Sequence, residues 1–359
     1  MTTLSLNPYR PKLDDPRVRR RLKNVLTWCD GLLGQKRPKQ INSASLRKVF
    51  GNVSQPFGGW LRANLLIQVG SYEVGKCSYS YVLNESGYEK LCAMAGIETR
   101  SSVEVAVERY SSILSGEVVP EYKDNGTRRY HPIQNLPRED RRIAFAGWWD
   151  YDIEASAATL VCQYAARKYR DMHPDTDNPF PSVNRLINEK EETRQHVMAL
   201  CSLDLNAAKE LLQSLLFRAP LTPNSRCSIY RLLGEDRARL ESLKQDPFIK
   251  SLVSDVKKMW RFAIWADKYE RAMLMFEACR YAPHKIKASE HRHAIYLSLE
   301  RRVMDAIHTW FGTDKFPGVL MHDGFLSMLD VDTHALVAHV KETTGYTIKI
   351  KKERLAEAR

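Results

Sequence analysis

Between Ile143 and Leu160 the hydrophobic period of the chain changes once, and no other stretch constrains the fold so tightly. A short apolar segment carrying Trp148 and Trp149 runs into Asp150 and Asp152, and from Ser156 to Lys168 the apolar residues recur at helical spacing. This pattern predicts a buried strand that delivers carboxylates at its C-terminal end straight into a helix. Phosphoryl transfer by two metals needs hard oxygen ligands on rigid elements, and a strand end supplies that rigidity. Acids at such a junction serve equally well as helix N-caps or surface ion-pair partners, so the junction alone leaves both readings open.

Two further patterns bear on that choice. In Val319–Ser327 a single acid, Asp323, sits between two apolar runs, preceded by His322 and followed by Gly324 and Phe325. Asp-Gly is a favoured turn dipeptide, so a hairpin with Asp323-Gly324 at its tip is the plain structural reading. In the helical run from Asn206 to Pro220, Lys209, Gln213 and Phe217 are spaced four apart and share one helix face. There a cation could hold a triphosphate while the aromatic packs near a base or sugar; an amphipathic helix with an exposed lysine would look the same.

The remainder of the chain organises around these segments. The 43% hydrophobic content of 359 residues supports a substantial core, and the formal charge of +12 points to a polyanionic partner, with nucleic acid the expected one. A basic run, Arg17, Arg19, Arg20, Arg21 and Lys23, is followed by a second at Lys36, Arg37 and Lys39. They could grip phosphates, or form the solvated side of a helix that turns Val25, Leu26, Trp28, Leu32 and Leu33 inward. The stretch Leu61–Val82 reads as strand or mixed, and Gly87–Leu114 as helices. The turn-rich stretch from Pro120 to Arg142 is the expected lobe boundary or an exposed loop. A mostly helical region then runs to about residue 311, interrupted at Pro174–Pro181, Pro220–Pro223 and Pro283, and an alternating strand is expected at Tyr346–Lys351. Seven cysteines without a C-x-x-C pair speak against a disulfide framework or zinc finger. With no apolar run near 18 residues and no signal-peptide core, no membrane association and a cytoplasmic location are expected. The sequons at Asn52, Asn84 and Asn125 are then chance matches.

Taken in order, the three patterns resemble the polymerase superfamily that joins family A DNA polymerases to phage-type single-subunit RNA polymerases. There motif A is a strand-borne Asp entering a helix, motif B a helix with a Lys followed eight residues later by an aromatic, and motif C a His-Asp hairpin. Asp152, the Lys209 to Phe217 pair, and His322-Asp323 match these one by one, and Ala288–Met304 is similar to a palm helix contacting template and primer. The resemblance covers roughly residues 140 to 350. Where the family carries an arginine one turn before the lysine this chain has Leu205, so Arg194 or Arg218 would supply the charge; Arg218 also replaces the glycine after the aromatic.

The resemblance implies an α-rich α/β right-hand polymerase. Residues 1–140 would be an N-terminal lobe, largely helical; 141–163 palm with a small antiparallel sheet; 164–287 helical fingers; and 288–359 palm with motif C. Asp152 and Asp323 would be catalytic and hold Mg²⁺, or Mn²⁺ in its place, with Asp150 the alternative to Asp152. Lys209 would bind phosphates and help protonate the leaving group. Lys209, Gln213, Phe217, Ala157, Glu154 and Arg218 would contact the nucleotide, and His322 and Arg292 the primer and template. Counting from Asp152 puts Ala157 where a small residue admits the ribose 2′-hydroxyl, whereas Glu154 folded over the sugar would select deoxynucleotides. The expected partners are a DNA template, nascent RNA or DNA, nucleoside triphosphates and a helicase or other replication protein. The expected type is a compact phage, plasmid or virus RNA polymerase or primase, with a family A-like DNA polymerase or a non-catalytic basic replication protein as alternatives. A histidine metal centre at His284, His291 and His293 is a weaker rival, because an i, i+2 pair on a helix points about 200 degrees apart.

Overall fold

In a computed structural model the protein is described over residues 15–30, 32–33, 39–51, 56–69, 78–97, 102–124, 128–136, 138–278, 288–312 and 318–356. Lys36, Arg37, Asn52, Gly70, Gly75, Cys77, Asn125, Cys279, Pro283 and His284 lie outside these residues. The chain forms two compact units, one of residues 1–118, 132–147 and 355–359, the other of 119–131 and 148–354. Both passages of the chain between units near residues 118 and 131 involve the turn-rich stretch that begins at Pro120. Among the described residues no helix is long and apolar enough to cross a membrane.

The first unit contains α1 (Pro16–Asp30), β1 (Lys39–Asn42), α2 (Ser43–Phe50), α3 (Pro56–Leu65), β2 (Leu66–Val69), β3 (Ser78–Leu83), α4 (Glu85–Ala95), α5 (Ser102–Arg109), α6 (Ser111–Leu114) and, after the chain's excursion, α7 (Arg138–Ala144). Its sheet is antiparallel with β3 between β1 and β2. Helix α1 buries Leu22, Val25, Leu26 and Cys29 and leaves Arg17, Arg19, Arg20 and Lys23 exposed. That is an amphipathic helix with a cationic outer face, the solvated-helix arrangement expected for the first basic run. Phe50, Leu61, Leu65, Tyr81, Tyr88 and Leu91 complete the core with α1. The close seat of α4 depends on Gly87, where a Cβ would meet the Asn64 carbonyl oxygen at 1.8 Å.

The second unit contains β4 (Lys123–Asp124), β5 (Arg129–Tyr130), β6 (Trp149–Ile153), α8 (Ser156–Met172), α9 (Pro181–Asn188), α10 (Lys190–Cys201), α11 (Leu205–Leu216), α12 (Ser228–Leu232), α13 (Arg237–Gln245), α14 (Pro247–Ala278), α15 (Ala288–Phe311), β7 (Gly318–Leu320), β8 (Gly324–Ser327), α16 (Thr333–Thr344) and β9 (Ile350–Arg354). The fold is helix-rich α/β with small antiparallel sheets; the main one has the order β7-β8-β6-β9. The residue alternation of β6 places Tyr151 and Ile153 in the core and Asp150 and Asp152 on the other side. Tyr151 stacks on Phe325 of β8, ring centres 4.5 Å apart, and its hydroxyl accepts a hydrogen bond from the Val331 amide at 2.7 Å. Helix α8 is buried from Ser156 to Cys162, which explains its run of small and apolar residues.

The final strand begins later than its alternation predicts. Tyr346 and Ile348 are buried as expected, but β9 pairs with β6 only from Ile350, opposite Ile153, to Arg354, opposite Trp149. Because β6 ends at Ile153, the preceding residues have no strand to join; the last cross-link there is Glu154 N–H to the Lys349 carbonyl at 2.9 Å.

Candidate active site

Strand β6 and the β7–β8 hairpin bring the two sequence-distant acids together. Asp152 pairs with Gly324, the neighbour of Asp323, and the Ile153 amide donates to the Asp323 carbonyl at 2.9 Å. The hairpin tip is His322-Asp323, not Asp323-Gly324 as the turn dipeptide suggests. Met321 N–H donates to the Gly324 carbonyl at 2.8 Å and Leu320 pairs with Phe325, leaving His322 and Asp323 as the two loop residues. Gly324 is needed for close approach: a Cβ there would lie 2.1 Å from the Tyr151 carbonyl oxygen. The aspartate is thereby left at the exposed end of the hairpin.

A cleft of about 500 Å³ opens beside these acids. Asp152 and Asp323 line it together with the start of α8, Lys190 and Arg194 of α10, Asn206, Lys209, Glu210 and Gln213 of α11, and Tyr296 of α15. Asn206, Lys209, Glu210 and Gln213 recur at three- and four-residue spacing, so α11 turns a polar stripe to the cleft, which Leu212 and Leu216 also line, while Ala208, Leu211 and Leu215 are buried. The stripe is placed by an N-cap, in which Asp204 accepts from the Ala207 amide at 2.8 Å. At its other end Arg292 donates to the Phe217 carbonyl at 3.0 Å and the Trp260 indole to the Leu216 carbonyl at 2.6 Å.

The junction into α8 is tight. Ala155 adopts φ 47°, a left-handed conformation uncommon for a residue with a side chain, and α8 starts without a side-chain cap. The first amides of α8 therefore open next to the acids, in the orientation that favours an anion. Ala157 lines the cleft beside them, whereas Glu154 is held by Lys190 at 3.1 Å and is not part of the lining.

Electrostatics distinguish the acids. Asp152 is pushed up to about 6, first by loss of hydration among the surrounding atoms, then by the negative charges of Asp323 and Asp150; Lys190 and Lys351 act in the opposite sense. Neither the Asp152 nor the Asp323 carboxylate forms a hydrogen bond or ion pair with a described residue, and Lys209 likewise has none. Asp150 engages other groups and does not line the cleft. Among the described residues no three His, Cys, Asp or Glu side chains form a ready metal cage. A hard cation that keeps water and takes further oxygens from a phosphate needs only one or two carboxylates, and two neighbouring carboxylates free of direct hydrogen bonds and ion pairs with described residues have the chemistry for it.

Several expected contacts lie elsewhere. Phe217 is not among the cleft-lining residues: it packs with Trp260, His293 and Tyr296, ring centres 5.6, 6.0 and 5.9 Å away. It thus backs Tyr296, which does reach the cleft. Arg292 is buried against Phe217, and Arg218, exposed at φ 63°, is outside the lining, so of the two arginines weighed as substitutes at Leu205 it is Arg194 that reaches the cleft. His322 lines a small recess with Arg128, Arg129, Glu300 and Arg301. The histidines of the rival metal centre diverge: His291 pairs with buried Asp267 at 2.7 Å while His293 joins the aromatic group.

Sequence reasoning missed Lys190 and Tyr296. Lys190 begins an ordinary charged helix, and its nearness to Glu154 comes from tertiary packing alone. Tyr296 belongs to a polar chain in which its hydroxyl lies 3.5 Å from Ser156 Oγ and interacts with Glu300, itself bound by Arg128 through two bonds of 2.6 Å. The tyrosine within Ala288–Met304, one turn from Glu300, was the only available signal.

No protein-family model matches the chain, and no curated protein matches it. Among solved structures it is similar to the POL domain of Pol1 from M. smegmatis in complex with DNA primer-template and dNTP, at TM-score 0.42 and 11% identity. The match covers 94% of this chain, which spans 66% of that one.

Proposed function

We propose that the protein is a template-directed nucleotidyltransferase that joins ribonucleotides, of the DNA-directed RNA polymerase or primase type. The observation that carries this reading is the meeting of Asp152 and Asp323, far apart in sequence, in one cleft with Lys190, Arg194 and Lys209. Asp152 and Asp323 would hold Mg²⁺, or Mn²⁺ in its place, which when bound activates the attacking hydroxyl and neutralises the leaving pyrophosphate. Lys209 and Arg194 bind the triphosphate of the incoming nucleotide, with the first amides of α8 as further donors. Ala157 leaves room for the ribose 2′-hydroxyl, and the Lys190 contact keeps Glu154 from the sugar. Gln213 and Tyr296 bound the nucleotide, with Phe217 supporting Tyr296 from behind. His322 stands next to Asp323 for the growing strand end, and Arg292 braces α11 rather than touching a base.

The test is incorporation of labelled NTPs and dNTPs on single-stranded DNA, with and without a primer, in Mg²⁺ or Mn²⁺, for wild type and for Asp152→Asn and Asp323→Asn. NTP-dependent products that vanish in both variants are expected. Incorporation of dNTPs alone would replace the ribonucleotide reading with that of a compact DNA polymerase in which Glu154 leaves Lys190. No incorporation with nucleic-acid binding intact would leave a basic binding protein.

A further inference from the structure

The first unit carries a cleft of its own, made by α1 and α2. Its volume is about 690 Å³, and Arg21, Asn24, Trp28, Ser45, Lys48, Val49 and Gly51 line it. The two helices bear Arg17, Arg19, Arg20, Arg21, Lys23, Arg47 and Lys48 against the single acid Asp30, whose carboxylate accepts from the Tyr88 hydroxyl at 2.6 Å. An unbalanced cationic surface of this kind attracts a polyanion.

The cleft is also built around its arginine. Arg21 donates to the Phe50 carbonyl, the last residue of α2, and its guanidinium stands 5.4 Å from the Phe57 ring centre. Gly51 lies beside the guanidinium, and its φ of +75° is a backbone conformation that favours glycine. Trp28 is only partly buried; it packs edge-on to Phe50, centres 5.6 Å apart, and it lines the cleft. A cation track beside a partly open indole is the combination that holds single strands, phosphates on the lysines and arginines and a base on the ring. A duplex hides its base faces and would leave the tryptophan unused.

We infer that the α1–α2 cleft is a binding site for single-stranded nucleic acid, with Lys48 and the outer arginines of α1 on phosphates and Trp28 against a base. The inference is independent of the nucleotidyltransferase reading.

The experiment uses the full chain and an oligothymidylate of about twenty nucleotides, with anisotropy titrations between roughly 50 and 200 mM salt. Lys48→Glu is exposed and leaves the core untouched; it is expected to weaken binding about tenfold and to reduce the log K against log salt slope by about 0.7 or more, one phosphate contact. In parallel, an iododeoxyuridine-substituted strand is photocross-linked to wild type and to Asp323→Asn, and the adduct mapped by mass spectrometry. Adducts at Trp28 in both proteins are expected, whatever the activity of the second unit. Unchanged affinity and slope in Lys48→Glu, adducts confined to residues 148–354, or equal competition by a duplex of the same length would each overturn the inference.

Discussion

The two clefts use charge in opposite ways. In the α1–α2 cleft the cations sit on helix surfaces, exposed or, for Arg21, bound to the Phe50 carbonyl, and the fold bears little electrostatic cost for them. In the cleft of the second unit, strand pairing brings two acids together with no cation hydrogen-bonded or ion-paired to either among the described residues, and Asp152 is raised to about 6, first by loss of hydration and then by the charges of Asp323 and Asp150. A surface built only to hold phosphates has no reason for that crowding. The contrast separates a surface whose excess of one charge sign suits a polyanion from one whose electrostatic conflict suits chemistry.

The largest expected effect would break the comparison outright. Asp323→Asn should lower nucleotide incorporation by about 10³-fold or more, on the order of 4 kcal/mol in the barrier, while affinity for a single strand changes by less than about twofold. Retained incorporation would reduce both clefts to binding surfaces. Next comes the support beneath the cleft: Arg128→Ala leaves Glu300, 1% exposed in its side chain, without its two hydrogen bonds. Burial already raises Glu300 above the usual carboxylate range despite Arg128. Loss of about 3 kcal/mol in urea unfolding is expected, and a loss below about 1 kcal/mol would show that this pair is as solvent-screened as the cations of α1.

A smaller effect separates binding from chemistry within the second unit. Lys209 is a point charge on an exposed helix face. Lys209→Ala should reduce kcat/KM for nucleotide by about 30-fold, roughly 2 kcal/mol, mainly through KM. An equal fall in kcat with KM unchanged would assign it to leaving-group protonation instead.

How much of this was legible in the sequence follows from the range of the forces involved. The β6–α8 junction, α11 and the β7–β8 hairpin are local patterns, and the sequence placed Asp152, Lys209, Gln213, Ala157 and Asp323 in segments that do meet in one cleft. The turn at His322-Asp323 was misjudged because Asp-Gly is a local preference. The need for glycine at Gly324 comes from the carbonyl of Tyr151, a residue remote in sequence. Helical spacing put Phe217 in line with Lys209 but could not say that Trp260, His293 and Tyr296 would enclose it. Nor could it choose between Arg194 and Arg218, since only packing of α10 beside α11 decides which reaches the cleft.

The finest test concerns the stored conflict itself. A carboxyl whose folded-state pKa is about 6, against an ordinary 3.8, holds its proton more firmly in the native state. Between those values the native state therefore binds more protons than the unfolded chain, and stability falls as pH rises, with the full penalty present above about 6. Asn cannot ionise, so metal-free Asp152→Asn should match wild type near pH 4 and exceed it at pH 7 to 8. After discounting for the solvent that reaches this side chain, the gain is about 1 kcal/mol, or roughly 2–4 °C in melting temperature. Mg²⁺ should reverse the order: it stabilises wild type by binding only the folded state, and has far less to bind in the variant. If the two proteins melt together at every pH, Asp152 and Asp323 are not in conflict. If Asn stabilises but Mg²⁺ leaves wild type unmoved, the cost of ionising Asp152 is real and its purpose is not a metal.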